Sequence, residues 1–576
     1  MKFFHVYNDK YFAGLEKNGL LDGDSGFKIQ HVFSLPTERK FNRFAAVGSP
    51  LHRYLAEHRF PFYVDRIAGG VTYHSYEFDK ALIDVYRELL GDWFLGFQQH
   101  ETAGNRRLDW QRVWERTDGD PGSCDAQELR RRSVRDYAKT PEGEVLSGFS
   151  QGTPEEYAAK PYPATFAELL ADYRSLLVSR MAATDGMILP VDSFQMLTHL
   201  QDELGMQAFM PEVGCQIPQM RIAMALARGT AKAKKKKWGV YYECWRTTKE
   251  DGSTMPCFNA EPGNEWNLTQ EGHKDDFTTH GPNGGSSRLL QKRIFYYALM
   301  AGAQFMAEEW GLNCSYLEMH GDFPLSPYGE VKKELIQFAR AHRNAKARIP
   351  FAVVLPKEIP FVQLTDGYCP NGERRKTLLR RELSPSETEA YGLLEEVLKL
   401  LFERAREDIH GNEGHVLQNS RFGDLFDLVY EDAPTEALKQ YDLLIDPSRD
   451  GHIAAKFGGE IQTVRYDGDA EALARLLERE AERILPLTVG RFLWLLSEDE
   501  NGEYLTVLNN EGNERSVEWG DRPLHEADGT AEIRLARPAE LTLLTASDPD
   551  VRLARKDGRH FSLFLPANAL AVLRIG

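Results

Sequence analysis

The chain has 576 residues, 42 % of them hydrophobic and 27 % charged, with a formal net charge of −17. That length exceeds what one hydrophobic core serves and implies roughly two to four domains. The acidic balance excludes a nucleic-acid partner, whose phosphates need a basic surface.

The N-terminal Lys2-Phe3-Phe4-His5-Val6-Tyr7 is too short for a signal h-region, and no segment reaches the about 20 apolar residues that span a bilayer. Six scattered cysteines without a C-x-x-C pair indicate neither a disulfide framework nor a zinc site. The expectation is a cytoplasmic protein with no membrane partner, no metal and no cofactor.

Eight short apolar stretches follow in chain order, at 3–7, 27–33, 60–64, 93–97, 187–191, 207–210, 238–242 and 303–307. Helical periodicity separates most of them. Leu82, Val85, Tyr86, Leu89 and Leu90 precede the fourth; Leu169, Tyr173, Leu176 and Leu177 precede the fifth; Leu289, Ile294, Tyr297 and Ala298 precede the eighth. Strands alternating with helices give a parallel sheet covered on both faces, here a (β/α)8 TIM barrel over 1–348.

Two insertions interrupt the alternation on the C-terminal face, 102–163 and 246–287, and each follows a strand ending in glutamate. Loops on that face of a barrel carry function. A basic run, Lys232 and Lys234 to Lys237, precedes the seventh strand and reads as a solvated helix end on the opposite face.

A second alternation begins near Ile349, with strands at 351–355, 425–430, 441–445 and 461–466 and a capping box at Ser384-Pro385-Ser386-Glu387. It reads as a small flavodoxin-like α/β domain over 349–486. From about Leu487 the period falls to two, with turns at Asn501-Gly502 and Glu511-Gly512-Asn513. An antiparallel β-sandwich over 487–576 is expected.

The strand ends hold the chemistry. The fourth and seventh stretches run into Glu101 and Glu243, two carboxyls brought to one mouth. A glycosidic bond is cleaved by one protonated and one ionised carboxyl flanking the anomeric carbon, roughly 5 Å apart in a retaining enzyme. Asp9, Asp65, Asp192, Glu212, Glu308 and Glu309 fall at the same mouth. Most of them are expected to accept hydrogen bonds from sugar hydroxyls, with Arg66 neutralising the cluster. Trp245 and Trp310 are expected to be stacking platforms for a sugar ring. A shift of the strand count by one would instead pair Asp192 with Glu308 or Glu309.

With Glu101 and Glu243 at the fourth and seventh strands, the chain resembles the clan of (β/α)8 glycosidases with the acid/base on strand four and the nucleophile on strand seven. Its succession of barrel, small α/β domain and β-domain is similar to that of family 42 β-galactosidases and related β-mannosidases. The resemblance implies a retaining exo-β-glycosidase acting on short oligosaccharides, with Glu101 as acid/base, Glu243 as nucleophile and Trp310 as the aromatic floor. It also implies a second domain that builds homo-oligomers, a trimer above all. The clan carries Asn before the acid/base, where this chain has His100. Either His100 supplies that residue's hydrogen bond to a sugar hydroxyl, or the catalytic groups differ. Two rivals follow: a glycosidase for uronates or sialic acid using Asp9 and His100, with Arg66 or Arg43 on the sugar carboxylate, and a non-catalytic sugar-binding barrel.

Overall fold

In the computed structural model the described residues are 1–7, 12–29, 37–67, 77–100, 166–192, 197–214, 220–243, 246–247, 254–255, 288–309, 315–316, 321–357, 385–402, 417, 420–516, 520–523 and 525–576. Eight parallel strands close into a barrel: β1 (Lys2–Val6), β2 (Ser25–Ile29), β3 (Phe62–Ile67), β4 (Phe94–His100), β5 (Ile188–Asp192), β6 (Ala208–Gly214), β7 (Lys237–Glu243) and β8 (Phe305–Glu308). Each pairs with its neighbour in sequence, and β8 returns to β1. The strand count that starts at residue 3 therefore holds, and the shifted one does not. The strands read as apolar runs because both faces are buried, one in the pore and one under helices.

Alternation along the strands divides these two faces. Phe4, Tyr63, Leu95, Leu189, Val191, Ala208, Met210, Tyr241, Phe305 and Ala307 form one inner cluster. Their neighbours Phe3, Phe62, Phe94, Ile188, Phe209, Val240 and Met306 join the outer core under the helices. In β4 the phase changes midway: Leu95 is in the inner cluster and Phe97 in the outer one. The cause is a bulge at Gly96, where the β3–β4 register shifts. Gly96 has φ +80°, and a Cβ there would lie 2.4 Å from Met187 O, so only glycine fits. The bulge sends Gln98 and His100 to the pore side.

The helices used below are α1 (Phe166–Ala183), α2 (Thr198–Glu203), α3 (Met220–Lys234), α4 (Arg288–Met300) and α5 (Pro327–Ala341). Among the described residues no helix is long and apolar enough to cross a membrane.

Beyond the barrel, β9 (Phe351–Leu355), β10 (Phe426–Tyr430), β11 (Leu443–Asp446) and β12 (Thr463–Arg465) form a four-stranded parallel sheet in the order β10-β9-β11-β12. The remaining chain forms two larger antiparallel sheets. In one, Leu493–Asp499, Gly502–Leu508, Leu570–Ile575 and Leu541–Ala546 are joined by Lys346–Ala347; the other holds Leu487–Val489, Gly529–Leu535, His560–Leu565 and Arg552–Arg555. Strict alternation of burial along Gly529–Leu535 shows one packed face and one wet face.

Helix α3 joins barrel to parallel sheet, and nearly every residue from Met220 to Ala233 is buried. It sits directly on β10: a Cβ at Gly229 would fall 2.3 Å from Leu428 O. Arg228 donates from Nε to Asp427 Oδ1 (2.6 Å), from Nη1 to Asp424 Oδ2 (2.8 Å) and from Nη2 to Phe426 O (3.0 Å). The lysine run was expected to be a solvated helix end, and the structure corrects this. Lys232 pairs with Asp427 (2.7 Å), Lys234 with Asp202 (3.1 Å) and Asp432 (3.4 Å), and Lys236 with Asp202 (2.6 Å). A run of like charge reads as solvent-facing until acids remote in sequence are folded against it.

Two histidines are buried where a proton is costly. His5, on the outer face of β1 with its ring 5.3 Å from that of Phe3, is lowered from 6.5 to about 3, first by burial and then by the Lys332 cation. His199 in α2, 4.1 Å from the Tyr430 ring, is lowered to about 4, again first by burial. Both pKa values are depressed on folding, so the native state is favoured above pH 6.5 and loses ground as pH falls towards 4. The slope is about 1.4 kcal/mol per pH unit for each group. Urea midpoints measured between pH 7 and 4 should fall accordingly, and in His5→Gln about half of that slope should disappear. An unchanged slope would show that His5 takes its proton in the folded state.

Candidate active site

The pore-facing ends of β2, β3, β4, β6, β7 and β8 supply a polar layer above the apolar inner cluster. Lys28 of β2 is fully buried and lies 3.0 Å from Asp65 Oδ2. Its ammonium also donates to the carbonyl oxygens of Glu308 (2.6 Å) and Glu309 (3.3 Å). Tyr241 donates its hydroxyl to the same Asp65 oxygen (3.3 Å), and Lys28 stands 5.1 Å over the Tyr241 ring. Asp65, Lys28 and Tyr241 thus tie β2, β3, β7 and β8 together through one buried ion pair, in which removing either charge strands the other.

Next to this group His100 reaches across the pore. Its Nε2 is 4.0 Å from Glu212 Oε1 of β6 and 3.9 Å from Glu309 Oε1 beyond β8. Ligating atoms of the three residues all lie within 4.8 Å of one another, and all three side chains are buried. Gln98 lies with its amide nitrogen 3.1 Å from His100 Nδ1, which fixes the imidazole plane. The ring of His100 meets that of Tyr241 edge-on, with centroids 5.8 Å apart. An imidazole between two carboxylates can pass a proton or share a cation with them.

Of the residues singled out from sequence, Asp65, His100, Glu212 and Glu309 come together here. Asp192 does not. Val191 occupies the pore side of β5, so Asp192 lies on the other face, accepting from Tyr173 of α1 (3.3 Å) and Gln201 of α2 (3.5 Å). Glu308 likewise lies on the outer face of β8, accepting from Gln291 of α4 (3.0 Å) and paired with Lys332 of α5. Glu243 ends β7 two residues after Tyr241, and Arg66 lies within β3; their side chains, like the whole of Asp9, Glu101, Trp245 and Trp310, lie outside the described residues.

Sequence reasoning missed Lys28, Gln98 and Tyr241. Arg66 was expected to neutralise the carboxylate cluster, and its side chain lies outside the described residues; the described cation beside Asp65 is Lys28 from the neighbouring strand. A signal was present: Lys28 sits between Phe27 and Ile29, and a charge inside a barrel strand must find a buried partner.

No protein-family model matches the chain, and no curated protein matches its sequence. Among solved structures it is similar to alpha-L-fucosidase isoenzyme 2 from Paenibacillus thiaminolyticus, at 9 % identity and TM-score 0.38, covering 99 % of this chain and 97 % of that one. It is also similar to a beta-galactosidase from Rahnella sp. R3, at 9 % identity and TM-score 0.36, covering 100 % and 98 %. A third is GH5_18 from Streptomyces cattleya in complex with GlcNAc, at 12 % identity and TM-score 0.29, covering 81 % and 98 %. Likeness of this order fixes neither activity nor substrate for this chain.

Proposed function

We propose that the chain is a retaining exo-β-glycosidase of β-galactoside or β-mannoside type, with Glu101 as general acid/base and Glu243 as nucleophile. The observation that carries this reading is the contact of His100 with Tyr241 across the pore, ring centroids 5.8 Å apart. It brings β4 and β7 within side-chain reach one residue before Glu101 and two residues before Glu243. In this reading His100, Glu212 and Glu309 meet the sugar, and the buried Lys28–Asp65 pair fixes the strands beneath them. Trp245 and Trp310 stack on the ring.

Two carboxyls about 5 Å apart leave no room for a water on the nucleophile's side, so hydrolysis passes through a covalent intermediate and returns the starting anomer. Proton NMR of the first sugar released from a nitrophenyl β-galactoside or β-mannoside, recorded before mutarotation, tests this. The β-anomer is expected; an α-anomer would remove Glu243 from the nucleophile's role.

The parallel order β10-β9-β11-β12 supports the reading of 349–486 as a flavodoxin-like domain, and the two antiparallel sheets support that of a C-terminal sandwich. We assign the α/β domain to assembly into a closed homo-oligomer, a trimer by preference. Light scattering at micromolar concentration should give a multiple of the 65.6 kDa chain mass; a value near one chain would overturn that assignment.

A further inference from the structure

We propose that His100, Glu212 and Glu309 bind one divalent transition-metal ion, Zn²⁺ or Mn²⁺, at the floor of the pore. The inference goes beyond glycoside hydrolysis and stands on these side chains alone. Three strands present them: β4 gives an imidazole nitrogen, β6 a carboxylate oxygen, and the residue after β8 a second carboxylate oxygen. The separations are 3.9 and 4.0 Å from the nitrogen to each oxygen, and at most 4.8 Å between any two ligating atoms. A point equidistant from three atoms so spaced lies at most about 2.5 Å from each. Zn²⁺ and Mn²⁺ take nitrogen and oxygen at roughly 2.0–2.2 Å, so a rotation that moves each side chain by a few tenths of an ångström completes the shell. One nitrogen with two carboxylate oxygens suits Zn²⁺, which takes both kinds of donor, and Mn²⁺, which favours the carboxylates, better than Ca²⁺ or Mg²⁺, which take oxygen alone.

The second observation is Gln98, which is fully buried and lies with its amide nitrogen 3.1 Å from His100 Nδ1. A ligating histidine donates its other ring N–H to a neighbouring acceptor; turning the Gln98 amide by 180° puts its oxygen where it accepts from Nδ1–H and leaves Nε2 free for the ion. The amide oxygen of Gln98 has no hydrogen-bond partner among the described residues. The turned amide gives that oxygen its donor, His100 Nδ1–H, so the orphan and the metal-binding tautomer of His100 have one explanation. Among the described residues the ion has three protein ligands, the number found in sites where it also takes water or a substrate oxygen. A sugar hydroxyl is a ligand of that class.

The test uses the full chain, freed of metal by chelator and dialysis and titrated with Zn²⁺ or Mn²⁺ alone by isothermal calorimetry, with no sugar present. About one equivalent per chain should bind saturably, and the melting temperature should rise with it. His100→Gln and Glu212→Gln should each weaken binding at least tenfold, and Gln98→Ala about tenfold. The exposed Glu532→Gln variant should bind as the parent does. Absence of saturable binding to the unsubstituted chain would overturn the proposal by itself. So would undiminished binding in variants whose near-ultraviolet circular dichroism matches the parent. Because the readout is metal on the free protein, an inert glycosidase assay leaves this result standing, and a failed titration leaves the assignment of Glu101 and Glu243 untouched.

Discussion

With Glu243 as the proposed nucleophile, a group that would act chiefly in the transition state, Glu243→Gln should lower kcat on a nitrophenyl glycoside by at least roughly a thousandfold while leaving the melting temperature close to that of the parent chain. Glu101→Gln should differ in a way that identifies its role. A dinitrophenolate leaves without a proton, so glycosylation survives in this variant and the step that needs a base to activate water becomes limiting. With a poorly acidic leaving group both steps should fail. The two nitrophenyl classes therefore separate acid/base from nucleophile. Azide sharpens the contrast. In Glu243→Ala it occupies the space of the lost carboxylate, attacks the anomeric carbon from that face and displaces the phenolate, giving an α-glycosyl azide. In Glu101→Ala it intercepts the covalent intermediate and gives the β-azide. Near-parental turnover in either glutamine variant on a good substrate would end that residue's assignment.

How far the site could be read from sequence is seen by comparing Glu212 with Asp192. Both end an apolar barrel strand, and both look like pocket residues on a list of strand-end carboxylates. What separates them is phase. Met210 lies in the inner cluster, so Glu212 two residues on faces the pore; Val191 lies there too, so Asp192 one residue on does not. The period of two is in the sequence, but which phase faces inward is not, because both faces of these strands are apolar. Phase also fails at β4, where the bulge at Gly96 reverses it and carries Gln98 and His100 inward. A glycine within a strand hints at such a bulge, without giving its direction. The barrel itself was legible for the opposite reason: eight runs buried on both faces, separated by helical periods, admit few topologies. Lys28 was hidden by its apolar neighbours, and its partner lies 37 residues away on the next strand. The acids that receive Lys232 and Lys234 are in part further still, across the boundary between barrel and parallel sheet.

That boundary is where the largest stability effect is expected. Arg228→Met should destabilise the chain by roughly 3–5 kcal/mol, the usual loss when one member of a buried ionic network is removed and its partners stay charged. Asp424 and Asp427 are both fully buried. Asp427 keeps Lys232 and the Tyr441 hydroxyl (2.7 Å) and Asp424 keeps Arg221 at 3.8 Å, whereas among the described residues only Arg228 spans both carboxylates, with bonds of 2.6 and 2.8 Å. Burial by itself would raise the Asp427 carboxyl, but Lys232 and Arg228 outweigh it and hold the pKa below its ordinary 3.8. The sign of the pH dependence follows. A depressed carboxyl stabilises the folded state above pH 3.8 and loses that contribution as pH falls through the folded value. The seat of α3 on β10 should therefore withstand acid to below the ordinary carboxylate range in the parent chain. In Arg228→Met the barrel and parallel sheet should part first, giving two unfolding transitions in urea where the parent gives one. A single transition displaced by less than about 1 kcal/mol would mean that the packing of Gly229 on Leu428, and not the ionic network, joins the two parts.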